Sequence, residues 1–229
     1  MKADLIVCNQ RHVIFPLWME FIQDNRDRFD KVIIVFTDMK VPDLDYRNYM
    51  QDQMEKDKIT FLDCLPVEGD EDWRNKAINM ALTVSEAEWI YFTEQDFLPN
   101  ERFWKEIDAL SNRTDVFGWY QGGRLHPCCI FIKRELLNRT HKDFGVTKDV
   151  SDHFGKFQED LDKKDIIIGV IHPTLGEHMN GLSQNMYMLQ SGLEPNYQPG
   201  EFKEYCRKCL LLDNLHPDFR ELFSWYLDK

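Results

Sequence analysis

The chain has 229 residues, 43% hydrophobic and 30% charged, which suits one generous globular domain with a substantial core and is only marginally enough for two. Its formal net charge of −12 argues against a protein that binds by coating phosphate backbones, and no run of 18 apolar residues exists to cross a membrane. Met1 to Leu5 runs straight into a strand-like segment with no evident signal peptide. A cytoplasmic protein is therefore expected, with Cys8, Cys64, Cys128, Cys129, Cys206 and Cys209 as reduced thiols.

Leu5–Cys8 reads as a first buried strand with a polar tip, Asn9-Gln10-Arg11-His12. Pro16 opens a helix whose apolar face holds Leu17, Phe21 and Ile22. Val32–Phe36 is a second strand closed by Thr37-Asp38, and Met39–Lys58 reads as a loop with a short helix. Ile59–Leu62 is a third strand. Trp73, Ala77, Ile78, Ala81 and Leu82 recur at helical spacing over Glu71–Val84, with acids at the positive end of the dipole.

Trp89–Phe92 is a wholly apolar run, the pattern of a strand covered on both faces, and it ends in two acids, Glu94 and Asp96. Pro99 and Asn100 stop it, and Asn100 is placed to cap a helix over 100–110. This alternation predicts a mostly parallel α/β sheet. In such sheets ligands sit beyond the carboxyl ends of strands, and two hard oxygen donors there suit Mg²⁺ or Mn²⁺ carrying a diphosphate.

The second half is less regular. Strands are expected at Val116–Tyr120, Cys128–Lys133 and Ile166–Ile171, with short helices at Arg134–Asn138 and from Ser151 to about Lys163. Gly176–Gly200 reads as a loop or lid with a short helix, and Pro217 opens a last helix that docks Phe219, Leu222, Phe223 and Tyr226. No repeat or linker breaks the chain, so a single domain over 1–229 is expected, with a more regular half (1–110) and a less regular one (111–229).

Arg74-Asn75-x-Ala77-x-Asn79-x-Ala81, followed by Trp89-Ile90-Tyr91-Phe92-x-x-x-Asp96, resembles the GT-A glycosyltransferases, particularly their large family 2-like group. The resemblance spans roughly residues 4 to 135 and departs at Glu94, where the family usually has Asp. It implies a Rossmann-like GT-A fold and transfer of a sugar from a nucleotide diphosphate, UDP-sugars being favoured, to an acceptor hydroxyl. It further implies that Asp96, with Glu94, anchors the metal, that Asn9, Arg11, Asp38 and Asn75 lie on the nucleotide, and that Arg74 contacts phosphate or supports the site. A salt bridge from Arg74 to Asp70 or Glu71 is the plainer reading of that residue. His178 is the candidate third metal ligand, with His172 as its competitor. Asp160 is the candidate general base, with Asp152 behind it; a solvated helix face is the plainer reading of Glu159-Asp160.

Gly122-Gly123, flanked by Tyr120, Arg124 and His126, reads either as an ordinary turn or as a close approach to a sugar. Cys206-x-x-Cys209 with His216 has part of a zinc pattern that Cys128-Cys129 or His126 could complete, and inert helical thiols are the preferred reading. Two other functions compete with transfer. A sugar nucleotidyltransferase would begin with a Gly-rich loop, which Cys8-Asn9-Gln10-Arg11-His12 lacks. A GT-A-like module that has lost activity would bind a sugar or a partner only. Expected acceptors include a glycan and a hydroxymethylated DNA base, the latter disfavoured by the net acidity.

Overall fold

The computed structural model describes residues 1–9, 15–37, 59–64, 72–121, 123–145, 147, 154–179 and 181–229. β1 (Ala3–Asn9), β2 (Phe29–Phe36), β3 (Ile59–Asp63) and β4 (Trp89–Thr93) lie parallel in the spatial order β3–β2–β1–β4. β7 (Arg124–Lys133) pairs antiparallel with β4 and with β6 (Val116–Gln121), and β8 (Gly169–Ile171) closes the seven-stranded sheet parallel to β6. The mostly parallel α/β sheet expected from the sequence is therefore present, and strands from both halves of the chain share it.

Side chains alternate across this sheet, so each strand feeds two cores. Leu5, Val7, Ile34 and Tyr91 face one core, against α1 (Pro16–Asp24), α3 (Phe103–Ser111), α6 (Leu182–Gln190), α7 (Pro199–Leu210) and α8 (Pro217–Leu227). Ile6, Ile33, Val35, Ile90 and Phe92 face the other, against α2 (Trp73–Val84), α4 (Arg134–Arg139) and α5 (Gly155–Lys163). At the centre Tyr91 lies opposite Phe131 in the β4–β7 register and stacks on it, ring centroids 4.1 Å apart.

One buried charge aligns these layers. Asp4, fully buried at the start of β1, accepts from the Ser85 hydroxyl (2.8 Å) and from the N–H groups of Lys31 (3.1 Å), Glu86 (2.6 Å) and Ala87 (2.9 Å). A carboxylate so satisfied is tolerable inside and pins the connection from α2 to β4.

Three expectations shift. The strand expected over Ile166–Ile171 is paired only at Gly169–Ile171, because β8 has just β6 to bond; Ile167 is exposed. The 100–110 helix begins at Phe103, with Asn100 Oδ1 accepting from the Arg102 N–H at 3.0 Å. The stretch expected as a loop or lid contains α6 and a short strand described below. The loop expected at Met39–Lys58, the Ser151 cap and Gly122 lie outside the described residues. Among the described residues no helix is long and apolar enough to cross a membrane.

Candidate active site

β4 delivers the two acids. Thr93 Oγ1 and the Glu94 N–H both bond Cys128 O on β7, at 3.0 and 3.3 Å, which ends the strand and turns the chain outward. Buried Gln95 fixes the turn from beneath, its Oε1 accepting from the Phe15 N–H at 2.6 Å. The chain then forms β5 (Phe97–Pro99), which pairs antiparallel with β9 (Gly176–His178) in a separate two-stranded ribbon. Phe97 stands opposite His178, and the Met179 N–H donates to Asp96 O at 2.8 Å, so the ribbon carries His178 to the acids. Gly176 permits this closeness: a Cβ there would lie 2.5 Å from Phe97 Cζ and 3.3 Å from Leu98 O.

The ligating atoms of Glu94, Asp96 and His178 lie within 4.8 Å of one another. His178 Nε2 is 3.4 Å from Asp96 Oδ1 and 3.7 Å from Glu94 Oε2, and Arg74 Nη1 meets Glu94 Oε1 at 3.0 Å. Burial alone would raise the Glu94 pKa, but Arg74, followed by His178 and His126, outweighs it and brings the carboxyl to about 2. Burial alone would lower the His178 pKa; Asp96 and Glu94 outweigh it and lift the imidazole to about 10. Asp96 Oδ1 is buried and accepts no hydrogen bond; the 3.4 Å approach of His178 Nε2 is an ion-pair contact. A buried, unbonded carboxylate oxygen beside a second carboxylate and an imidazole fits a dication, and this O, O, N set suits Mn²⁺. Ligation would require His178 to give up its proton.

A small cavity of about 20 Å³ lies beside Glu94 and Arg74, walled by Ile6, Cys8, Ile78, Phe92 and Pro127. Burial pushes the Cys8 thiol up to about 12, so it serves as wall and not as nucleophile.

The other sequence candidates fall as follows. Asn9 ends β1 with its backbone in register with Phe36; its side chain, like Arg11, Asp38 and Asp152, lies outside what is described. Asn75 is turned to protein partners: it donates to Asp72 Oδ2 (3.1 Å), while its Oδ1 accepts from Asn79 Nδ2 (3.0 Å) and the Phe144 N–H (3.0 Å). Asp160 is likewise committed, to Lys164 Nζ at 2.6 Å and the His141 N–H at 2.9 Å. The Lys164 bond, with the one from His141, holds its carboxyl below the usual range, the wrong direction for a general base. His172 is exposed and caps a 3-10 turn, its Nδ1 accepting from the Thr174 N–H at 3.2 Å, so it is His178 that reaches the acids. Cys206 and Cys209 are buried in α7; burial raises both thiols, Cys209 to about 12, and His216 caps α8. Neither thiol joins a metal-competent cluster among the described residues.

His126 has a place at the site that its sequence position does not predict. Its ring meets that of His178 edge-on, centroids 4.7 Å apart. Only the pairing of β7 beside β4 brings it there.

An open, mostly parallel sheet with an antiparallel return strand and acids beyond the carboxyl end of its central strand is the GT-A fold, the fold of the glycosyltransferases that the sequence resembles. Solved structures share that fold with the chain. No family model matches the sequence, and no curated protein does. The mannosyltransferase PcManGT from Pyrobaculum calidifontis, in complex with GDP-Man and Mn²⁺, superposes with a TM-score of 0.55 at 16% identity, over 99% of this chain and 72% of that one. Residues 1–349 of TarS from S. aureus give 0.51 at 13% identity over 99% and 71%. The complex of the same TarS fragment with UDP-GlcNAc gives 0.50 at 16% over 99% and 72%.

Proposed function

We propose that the chain is a metal-dependent glycosyltransferase that moves a sugar from a nucleotide-diphosphate donor to an acceptor hydroxyl. The observation that carries this reading is the half-buried triad of Glu94, Asp96 and His178, with a buried Asp96 oxygen that accepts no hydrogen bond, at the carboxyl end of β4 in a GT-A fold. Bound Mn²⁺ or Mg²⁺ would supply stabilisation of the negative charge that builds on the departing diphosphate. The protein's own part is to hold that ion and position the donor. Asp96 and Glu94 present oxygens from the turn after β4, and His178 presents nitrogen from the ribbon. Arg74 fixes the Glu94 carboxylate and keeps it ionised.

A UDP- or GDP-hexose is the donor class that fits, UDP being favoured by the sequence resemblance. Because Asp160 is held by Lys164 and His141, the base role in an inverting reaction passes to Asp152. One assay tests these points: Mn²⁺-dependent release of UDP or GDP from a donor panel, with and without glycan ends and hydroxymethylated DNA as acceptors. Asp96→Ala is expected to lower turnover by about a hundredfold or more while the fold persists. Asp152→Asn is expected to keep donor binding and lose transfer. If the wild-type chain binds donor and Mn²⁺ with no turnover on any acceptor or on water, it is a binding module. If it joins a nucleoside triphosphate to a sugar phosphate, it is a nucleotidyltransferase; either result overturns the proposal.

A further inference from the structure

His178 belongs to two clusters at once. Its ligating nitrogen lies with Glu94 and Asp96 in the hard-donor triad, and the ligating atoms of His126, Cys128 and His178 also lie within 4.8 Å of one another. His126 and Cys128 are two apart on β7, the spacing that sends two side chains out of a strand on one face. Cys128 is fully buried, His126 and His178 are half-buried, and the two imidazoles meet edge-on at 4.7 Å.

The donor types are the second half of the argument. Two imidazoles and a thiolate form a soft set, suited to Zn²⁺ and its thiophilic relatives, whereas two carboxylates with one imidazole suit Mn²⁺. His126 Nδ1 accepts a long 3.3 Å hydrogen bond from the Cys128 N–H, which sets a ring nitrogen beside the Cys128 backbone. Exchanging that weak bond for a metal bond costs little. Three protein ligands leave a fourth tetrahedral position to water or to Glu94, whose Oε2 lies 3.7 Å from His178 Nε2.

We propose that His126, Cys128 and His178 form a soft-cation site that takes Zn²⁺ and, by withdrawing His178 from Glu94 and Asp96, competes with the divalent ion of the transfer site. The competition rests on the glycosyltransferase reading; the thiolate site itself does not. Both clusters draw on the one His178 imidazole, two dications held so close together repel each other, and in the general order of affinities Zn²⁺ exceeds Mn²⁺. Zinc is thus an inhibitor that acts through a protein ligand and not by simple replacement at the acids.

Cobalt reports the site directly, because thiolate ligation gives Co²⁺ an intense near-ultraviolet sulfur-to-metal charge-transfer band. The metal-free full chain is titrated with Co²⁺, and Mn²⁺ binding is followed separately by the loss of the free-ion paramagnetic resonance signal. The expected results are a charge-transfer band in the wild type and in Asp96→Ala, no band in Cys128→Ser or Cys128→Ala, and Co²⁺ affinity at least about tenfold weaker in His126→Ala. Adding Zn²⁺ to the Mn²⁺-loaded wild type is expected to bleach any cobalt band and release Mn²⁺, and the release is expected to disappear in Cys128→Ala. No band in the wild type, or a band that survives in both Cys128 variants, overturns the proposal. A cobalt band with no Mn²⁺ binding in the wild type sinks the transferase reading and the competition, and leaves the thiolate site standing.

Discussion

Asp160 sits with its carboxylate 12% exposed at the joint between α5 and the segment after α4, taking Lys164 Nζ at 2.6 Å and the His141 N–H at 2.9 Å. Both bonds favour the charged form, so the folded-state pKa lies below the unfolded one. Its contribution to stability is therefore fully present above the unfolded carboxylate range and is lost as pH falls through the folded pKa. Asp160→Asn is expected to cost about 1 kcal/mol at neutral pH, a figure discounted because Lys164 is 39% exposed. Urea denaturation across a pH series checks it: the gap between wild type and variant is expected to close as pH drops from about 5 toward 2. A constant gap would mean that the two bonds do not matter. The same residue marks a limit of sequence reading. Helical spacing correctly puts Asp160 nearer the apolar stripe than Glu159, but spacing cannot say that a lysine one turn later takes the carboxylate. His172 and His178 divide for a similar reason, since only the ribbon decides which imidazole points inward and which caps a turn.

The ribbon of β5 and β9 is the element on which the site depends, and Gly176 is its tightest point. Phe97 cannot easily retreat from an added methyl, because its ring is fully buried against Phe103 and Trp119, centroids 6.0 and 5.3 Å away. Gly176→Ala is expected to cost about 1–3 kcal/mol from overpacking, and to shift His178 two residues on. Mn²⁺ affinity, read by paramagnetic resonance, is then expected to fall by about tenfold, a loss comparable to disturbing the support of a metal ligand. Unchanged affinity would show that β9 tolerates the methyl without moving His178. This element was the least legible in the sequence. β1, β2 and β4 announce themselves as continuous apolar runs, because helices cover the sheet on both faces, and α2 does so by its 3.6-residue periodicity. Phe97–Pro99 and Gly176–His178 are three residues each, too short for any alternation, and each is a strand only because the other is there. His126 was hidden by the same kind of dependence. Its position follows from the antiparallel register that sets Thr93 against Cys129 and bonds the Thr93 hydroxyl to Cys128 O across 35 residues of chain, which no local pattern encodes.

Across the whole molecule, the two cores and the sheet between them behave as a frame, and the site is a small charged corner at its edge. The frame was readable because burial on a large scale leaves its mark in every strand; the corner was readable only as far as Glu94 and Asp96, which terminate one of those strands. That division suggests how binding will register globally. A ligand that binds only the folded form adds RT ln(1 + [L]/Kd) to stability, about 2.7 kcal/mol at a hundredfold excess over Kd, which in a chain of this size raises Tm by roughly 5–10 °C. With Mn²⁺ and a matching UDP- or GDP-sugar together, a rise of that order is expected, larger than the sum of the rises with each alone, because the diphosphate and the carboxylates share one ion. Removing the metal with a chelator is expected to take away the excess over that sum. Asp96→Ala is expected to remove the same excess while keeping whatever rise the nucleotide gives without the ion. If donor and metal add independently, or if Asp96→Ala retains the full synergy, the ion does not bridge the protein and the diphosphate through that carboxylate.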